Sequence, residues 1–577
     1  MKRKNKIFNS KWLFIVFIVL NILPVFFTYF TASLDGPQHL YVSNIIAQII
    51  EGNGTFQQFF ILNPPIIGNV LGNYIIALLN IFFSAWLSEK LFIILYLVLF
   101  VTGFRYLVIS INGKAGLVSY LIFPFSYHAL FMLGYYNFSL AIALLFFALG
   151  YWVRISQHLT KSKLFKLLAL FTLIYYAHMF VFAVLLFLIG LTNSIDFISD
   201  LINKKPNAFK AFYPKVLFLL ASALPGILLS ILYIARIPNT SSVRINGTIE
   251  ERLLALFNMD FLIGYDHKSE AFFTKGYLFL IIIIGIFILT ERAILQFRSR
   301  ISDGPKESEK TIMKDSWLII FVILFGIYIV APSFMSIPVR IGLFMILVFI
   351  LWISVANTSP VIEVITLVTI LYLSISLKLI HLQFLVPLDK TIKEIHLCEH
   401  ALSENTTILT ANYENNWIMY HFDNYIGTEK PLINIKSPIV SSLFSVNWNK
   451  NTKPFLFVGA KNAAFYAPVE NTPFDKTVSI AEYVIIIGYQ NFINSKSDEM
   501  LKEVLDRDYK NIYVSPSQRI ALYKLSISEN IYKYKLFIQN SPSAIKNIKD
   551  KALDCRIPYK TVLQRDALWL YDQAKVE

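Results

Sequence analysis

About eleven apolar stretches, each long enough to cross a bilayer with some tilt, interrupt this chain before residue 381. They lie near 12–31, 66–87, 91–110, 117–133, 138–153, 167–190, 216–235, 276–290, 316–331, 338–356 and 360–380. Hydrophobic residues make up 56% of the 577, with 50 Phe, and the mean hydropathy of +0.57 is far above that of an ordinary soluble domain. The fold class this predicts is an α-helical polytopic membrane bundle. The net charge of +15 is explained by basic loops that orient the spans, so nucleic acid is not an expected partner and membrane lipids are. Lys2, Arg3, Lys4, Lys6 and Lys11 precede the first stretch, which has no clear small-residue cleavage site. It reads as a retained helix with its amino end in the cytoplasm.

From that start, the basic connections 192–215 and 291–315 fall inside, and 32–65, 236–275 and everything after 380 fall outside. One connection disagrees. The stretch 154–166, with Arg154, Lys161, Lys163 and Lys166, lands outside against its charge, which points to a missed or false crossing between 60 and 153. Pro124 and Pro64-Pro65 mark the places where an element is expected to break or re-enter.

From about Leu388 the composition turns mixed and polar. Short strand-like runs at 408–413, 454–458, 483–489, 511–514 and 520–525, with a helical stretch at 498–506, predict a small α/β domain. The domains expected are 1–387 with the first outer loop 32–65, an extracytoplasmic α/β domain over 388–530, and a C-terminal helical tail over 531–577. Cys398 and Cys555 are the two cysteines. A pairing between them and two free buried thiols both remain open.

The first outer loop holds Asp35-Gly-Pro-Gln-His39 at the lipid-water boundary. Asp35 suits the cap of a helix starting near Pro37, since aspartate accepts bonds from exposed amides and proline fits the first turn. The same carboxylate suits substrate chemistry at a membrane face. His39, Ser43, Asn44, Gln48 and Glu51 share one broad face of that helix, opposite Leu40, Ile45, Ile46, Ile49 and Ile50. Such a helix is expected to lie in the interface, holding His39 and Glu51 as substrate-binding groups against the mouth of the bundle.

These features resemble the GT-C class of integral-membrane glycosyltransferases, and related bacterial, Bacteroidetes-like membrane proteins. The residues that carry the resemblance are Asp35-Gly-Pro-Gln-His-Leu-Tyr41, Asn63-Pro-Pro65, Gly134-Tyr-Tyr-Asn-Phe138, Tyr151-Trp-Val-Arg154, Ala177-His-Met179 and Arg340. Ala481-Glu-Tyr-Val-Ile-Ile-Ile-Gly-Tyr489, Ile520-Ala-Leu-Tyr-Lys524 and the tail from Ile538 through Asp566-Ala-Leu-Trp569 continue it. The resemblance implies a GT-C-like bundle in the bacterial inner membrane, moving a sugar from a polyprenyl-phosphate-linked donor to an envelope acceptor on the outer face. It implies Asp35 as general base and Arg340 as the clamp on the donor phosphate. Many members of the class carry paired acidic residues in this loop, whereas the next carboxylate here is Glu51. No ligand cluster for a divalent metal is visible, and no cofactor is expected.

His178 falls mid-span, where a neutral histidine bonded to a neighbouring helix and a substrate contact are both open readings. In the outer loop, Arg244, Arg252, Asp260, Asp266 and His267 are candidates for acceptor or phosphate contacts. The expected topology puts 134–137 inside, away from Asp35. Motifs for nucleotide phosphates, a serine nucleophile elbow, a zinc helix and dinucleotide binding are missing from the sequence. The rival to transfer is a non-enzymatic transporter or flippase for an envelope lipid or glycan precursor.

Overall fold

Hydrocarbon offers no partner to a backbone amide, so the apolar stretches must satisfy their hydrogen bonds internally, and they do so as helices. A computed structural model describes residues 11–237, 247–301, 309–333, 336–356, 358–437, 439–449, 456–459, 463–466, 481–495, 499–525 and 528–554, with 559, 562–563, 565–567 and 569–570 beyond. Seven helices among them are long and apolar enough to cross a membrane: Ala85–Asn112, Tyr136–Ile155, Met179–Ile202, Ala208–Ile234, His267–Ile294, Ile337–Val355 and Pro360–His400. Shorter apolar helical pieces cover Lys11–Phe26, Leu71–Asn80, Leu117–Met132 and Asp315–Val330. Contacts divide the chain into two compact units. The first holds 1–28, 65–72 and 90–387; the second holds 29–64, 73–89 and 388–577.

Two of the expected spans take a different form. The stretch 66–87 yields only the 10-residue helix Leu71–Asn80, which rises about 15 Å, half of the ~30 Å of hydrocarbon. Pro64 and Pro65 hold the chain before it out of helical geometry. The stretch 167–190 is not one helix but two, Lys161–Ala177 and Met179–Ile202, joined at an extended His178 (φ −165°, ψ 116°). Phe171 and Phe182 lie with ring centroids 6.1 Å apart, whereas along a straight helix they would be separated by ~16 Å. The chain therefore folds back at His178. The break expected at Pro124 is present: 117–132 runs as 3-10 turns Leu117–Ile122 and Pro124–Tyr127 followed by the single helical turn Ala129–Met132.

In the second unit a five-stranded sheet has the order Ile433–Asn434, Thr407–Asn412, Tyr483–Ile487, Ile520–Leu525, Tyr509–Val514. The first two pairings are parallel and the last two antiparallel. All five residues of Tyr483–Ile487 are buried, as an unbroken apolar run demands of a central strand covered on both faces. Helix Glu499–Asp508 and strands at 407–412, 483–487, 509–514 and 520–525 match the expected α/β pattern to within a few residues.

Residues 29–64 belong to this same unit. Helix Gly36–Ile50 puts Tyr41, Val42, Ile45 and Ile46 into one apolar core with Leu409, Ile433, Val484 and Ile486. Tyr41 Oη donates to the Leu432 carbonyl at 3.1 Å, and Asn44 Nδ2 donates to the Gly427 carbonyl at 2.7 Å. Strand Phe60–Leu62 pairs antiparallel with Val446–Trp448. The expectation of an interfacial helix grouped with the bundle is thus corrected: burial of its apolar face against the sheet makes 36–50 a core helix. The tail docks on the same core through Ile538, Ile548, Val562, Leu563 and Ala567. Cys398 is a buried free thiol, and Cys555 lies outside the described residues.

Candidate functional site

Asp35 occupies the position before helix Gly36–Ile50, yet its side chain makes no capping hydrogen bond. The sequence removes one of the two amides that a cap would bond. A capping carboxylate bonds the second or third amide of the helix, and here the second residue is Pro37, which has no N–H. The backbone at Asp35 is helical (φ −99°, ψ −11°) rather than extended, which turns the side chain away from the usual capping geometry. The carboxylate is left 27% exposed, with Oδ1 3.6 Å from His421 Nε2. Burial pushes its pKa up from the ordinary carboxylate value to about 6.

His421 comes from a segment that sequence reasoning passed over. Gln38, three residues along the helix from Asp35, donates from Nε2 to His421 Nδ1 at 2.9 Å. With Nδ1 accepting, the ring proton of the neutral imidazole sits on Nε2, facing Asp35. Burial lowers the pKa of His421, opposed by the nearby Asp423 and aided by Lys436, so the ring is neutral at pH 7. The corner thus holds an ionised carboxylate that is reachable from water and faced by one N–H. Such a group can accept a proton from a hydroxyl.

The other residues expected around Asp35 are placed differently. His39 bonds through Nδ1 to Asn73 Oδ1 at 3.0 Å, and burial takes its pKa down to about 4, which makes it a neutral internal donor. Glu51 follows the last turn of the same helix, exposed, and accepts from Gln48 Nε2 at 3.3 Å. At ~1.5 Å per residue it stands about 24 Å from Asp35. The structure does not bring the two carboxylates together.

In the first unit Arg340 lies in the opening turn of helix Ile337–Val355. Its guanidinium carbon is 5.6 Å from the Tyr135 ring centroid, 5.4 Å from Phe138 and 5.7 Å from Phe180. Tyr135 and Phe138 begin helix Tyr136–Ile155, and Phe180 begins Met179–Ile202. Three helix amino termini therefore converge on one cation, where their dipoles add to its attraction for an anion. The rings compensate part of the guanidinium's desolvation, but its Nε has no hydrogen-bond partner and no ion pair with a carboxylate forms among the described residues.

His178 is not mid-span but at the turn between its two helices, with its ring edge-on to Phe138 at 5.1 Å and Nδ1 without a partner. It lies within electrostatic reach of Arg340. The motif at 134–138 acquires a structural role as well: Asn137 Oδ1 accepts from the Gly72 amide at 2.6 Å and its Nδ2 donates to the Asn69 carbonyl at 2.8 Å. Asn69 Oδ1 in turn caps Met179 N at 2.9 Å. This packing puts Tyr135 and Phe138 against Arg340, at the head of 338–356, so 134–138 and Arg340 share one end of the helices.

Arg244 lies outside the described residues. Arg252 donates to the carbonyls of Tyr328 and Ala331, Asp266 caps Ser269 at 2.9 Å and Asp260 pairs with His267 at 3.3 Å, so these loop charges have structural partners. Among the described residues no three His, Cys, Asp or Glu side chains group so as to hold a metal ion.

No protein-family model and no curated relative matches the sequence. Among solved structures, the chain is similar to ArnT from Cupriavidus metallidurans in the apo state, with a TM-score of 0.37 and 9% identity over 89% of this chain and 97% of that one. It is also similar to the same protein bound to undecaprenyl phosphate, with a TM-score of 0.38 and 10% identity over 89% of this chain and 98% of that one. ArnT is a GT-C glycosyltransferase. The overlap is long and loose, and no residue's role is taken from it.

Proposed function

We propose that this chain is a membrane glycosyltransferase that moves a sugar from a polyprenyl-phosphate-linked donor to an envelope glycan, lipid or protein on the outer face of the bacterial cytoplasmic membrane. The observation that carries the reading is Asp35: a carboxylate at a helix start, withheld from capping and held near neutral pKa, is a general base in waiting. In the step proposed, an acceptor hydroxyl gives its proton to Asp35 as its oxygen bonds the anomeric carbon. The bond from that carbon to the phosphate oxygen breaks, and polyprenyl phosphate leaves with the electron pair. Arg340 holds the phosphate through its two-pronged guanidinium, and the converging helix termini favour the charge that builds there.

Membrane sidedness supports the same reading. If 66–87 does not cross and 167–190 crosses twice, the count of crossings stays at about eleven. The basic connection 154–166 then falls on the cytoplasmic side, which removes the conflict with its charge. On that count the proposal puts Asp35, Tyr135, His178, Arg340 and the α/β unit on the outer side. The test is incubation of the purified protein in nanodiscs with a panel of polyprenyl-phosphate sugars and envelope extract, followed by mass analysis. A glycosylated product from wild type and none from Asp35→Asn is the expected result; movement of lipid across the bilayer with no product from either protein would overturn it in favour of a transporter.

A further inference from the structure

Beside Asp35 the second unit carries an aromatic pair that the transfer reading leaves unused. Residues Trp417–Met419 form a 3-10 turn that continues to Tyr420, whose amide donates to the Trp417 carbonyl at 3.3 Å. At three residues per turn, positions i and i+3 project to the same side, about 6 Å apart along the axis. Trp417 is 50% and Tyr420 68% exposed, while Ile418 and Met419 between them are buried and anchor the turn. Asn412 Nδ2 donates to the Met419 and Tyr420 carbonyls at 2.6 and 3.2 Å, and Asn416 Oδ1 accepts from the Ile418 amide at 3.2 Å. Two large rings are thus held out to solvent on a tied-down backbone, which an isolated apolar surface residue does not require. Tyr420 packs edge-on against His421 at 4.7 Å, and His421 faces Asp35.

We infer that Trp417 and Tyr420 form a carbohydrate-binding platform that takes a pyranose ring of the acceptor next to Asp35. A sugar presents C–H groups on its faces and hydroxyls around its edge. An aromatic face suits the former, and a polar group at its edge such as His421, packed against Tyr420, suits the latter. The ~6 Å rise between the two positions along the turn is about the width of one sugar ring. An anchor in the headgroup layer is the competing use of exposed Trp and Tyr, but the turn is flanked by Glu414, Asn415 and Asn416 rather than by further apolar residues. Naming the ring as the acceptor rests on the transfer reading; binding itself does not.

The experiment is saturation-transfer NMR on the full-length protein in nanodiscs, with glucose, galactose, mannose, N-acetylglucosamine and their disaccharides at millimolar concentration as probes. Ring C–H signals are expected to saturate with wild type. The dissociation constant should rise about threefold to tenfold in Trp417→Ala and Tyr420→Ala, and recover in Trp417→Phe. Both side chains are exposed, and thermal melts of the variants confirm folding. No saturation with any probe, or alanine variants that bind like wild type, overturns the inference. So does a loss of membrane association of the α/β unit with sugar binding unchanged, which would make the pair an anchor. Because Asp35→Asn keeps the platform, failure of the transfer reading shows as product formation by that variant, independently of the sugar result.

Discussion

Asp35 and Arg340 are both charges that a lipid-embedded protein holds at some expense, and the two regions meet that expense differently. At Asp35 burial acts on the proton: the pKa rises to about 6, so the group can pick up or release a proton near neutral pH. Arg340 has no such escape, because a guanidinium stays charged, and its surroundings answer with three aromatic rings and three helix amino termini. The difference separates two kinds of task. A labile carboxylate suits proton transfer, and a permanent cation with an unused N–H suits a permanent anion.

The comparison is broken most sharply by removing each charge. Asp35→Asn is expected to lower the transfer rate ~10²–10⁴-fold while donor binding stays within twofold or so, as befits loss of a general base. Arg340→Ala should instead raise the donor KM, by about tenfold to a hundredfold if one or two charge-assisted bonds are lost, and Arg340→Lys should recover little because an ammonium cannot offer the paired N–H geometry. Matching kinetic signatures from the two sites would show that the division of labour is wrong. Stability sharpens it further. Replacing Thr248, which does cap its helix by accepting from the Glu251 amide at 3.1 Å, with alanine should cost ~1 kcal/mol in a denaturation measurement. Asp35→Ala should cost less, since no cap bond is lost. Glu51→Gln, exposed at the far end of the helix, should leave stability within ~0.5 kcal/mol and transfer unchanged.

Much of the bundle could be read in the sequence, because hydropathy reports length and the break at Pro124 follows from a missing amide. The five-stranded sheet was equally readable: Tyr483–Ile487 is apolar at every position, as a central strand must be. What failed was pairing over distance. Nothing local tells that 36–50 packs on a sheet formed some 400 residues later, so its apolar face read as interfacial. His421 was missed for the same reason, since it meets Gln38 from 383 residues away in sequence. The fold-back at His178 is hidden in a run that fits one span; the hint was that apolar residues continue well past 190. The Lys and Arg residues of 154–166 were the one sequence signal against the expected order of crossings before them, and the 10-residue helix Leu71–Asn80 is where that order is weakest.

Everything rests on the ionisation state of a single side chain, so its titration is the most direct test. The carboxyl stretching band present in wild type and lost in Asp35→Asn, followed by infrared difference spectroscopy, is predicted to titrate near pH 6. The transfer rate should fall along the same curve as the pH drops, because only the ionised form accepts a proton. A band that titrates near 4 or below, with a rate indifferent to pH between 5 and 8, would mean that Asp35 is an ordinary paired or capping carboxylate and not the base.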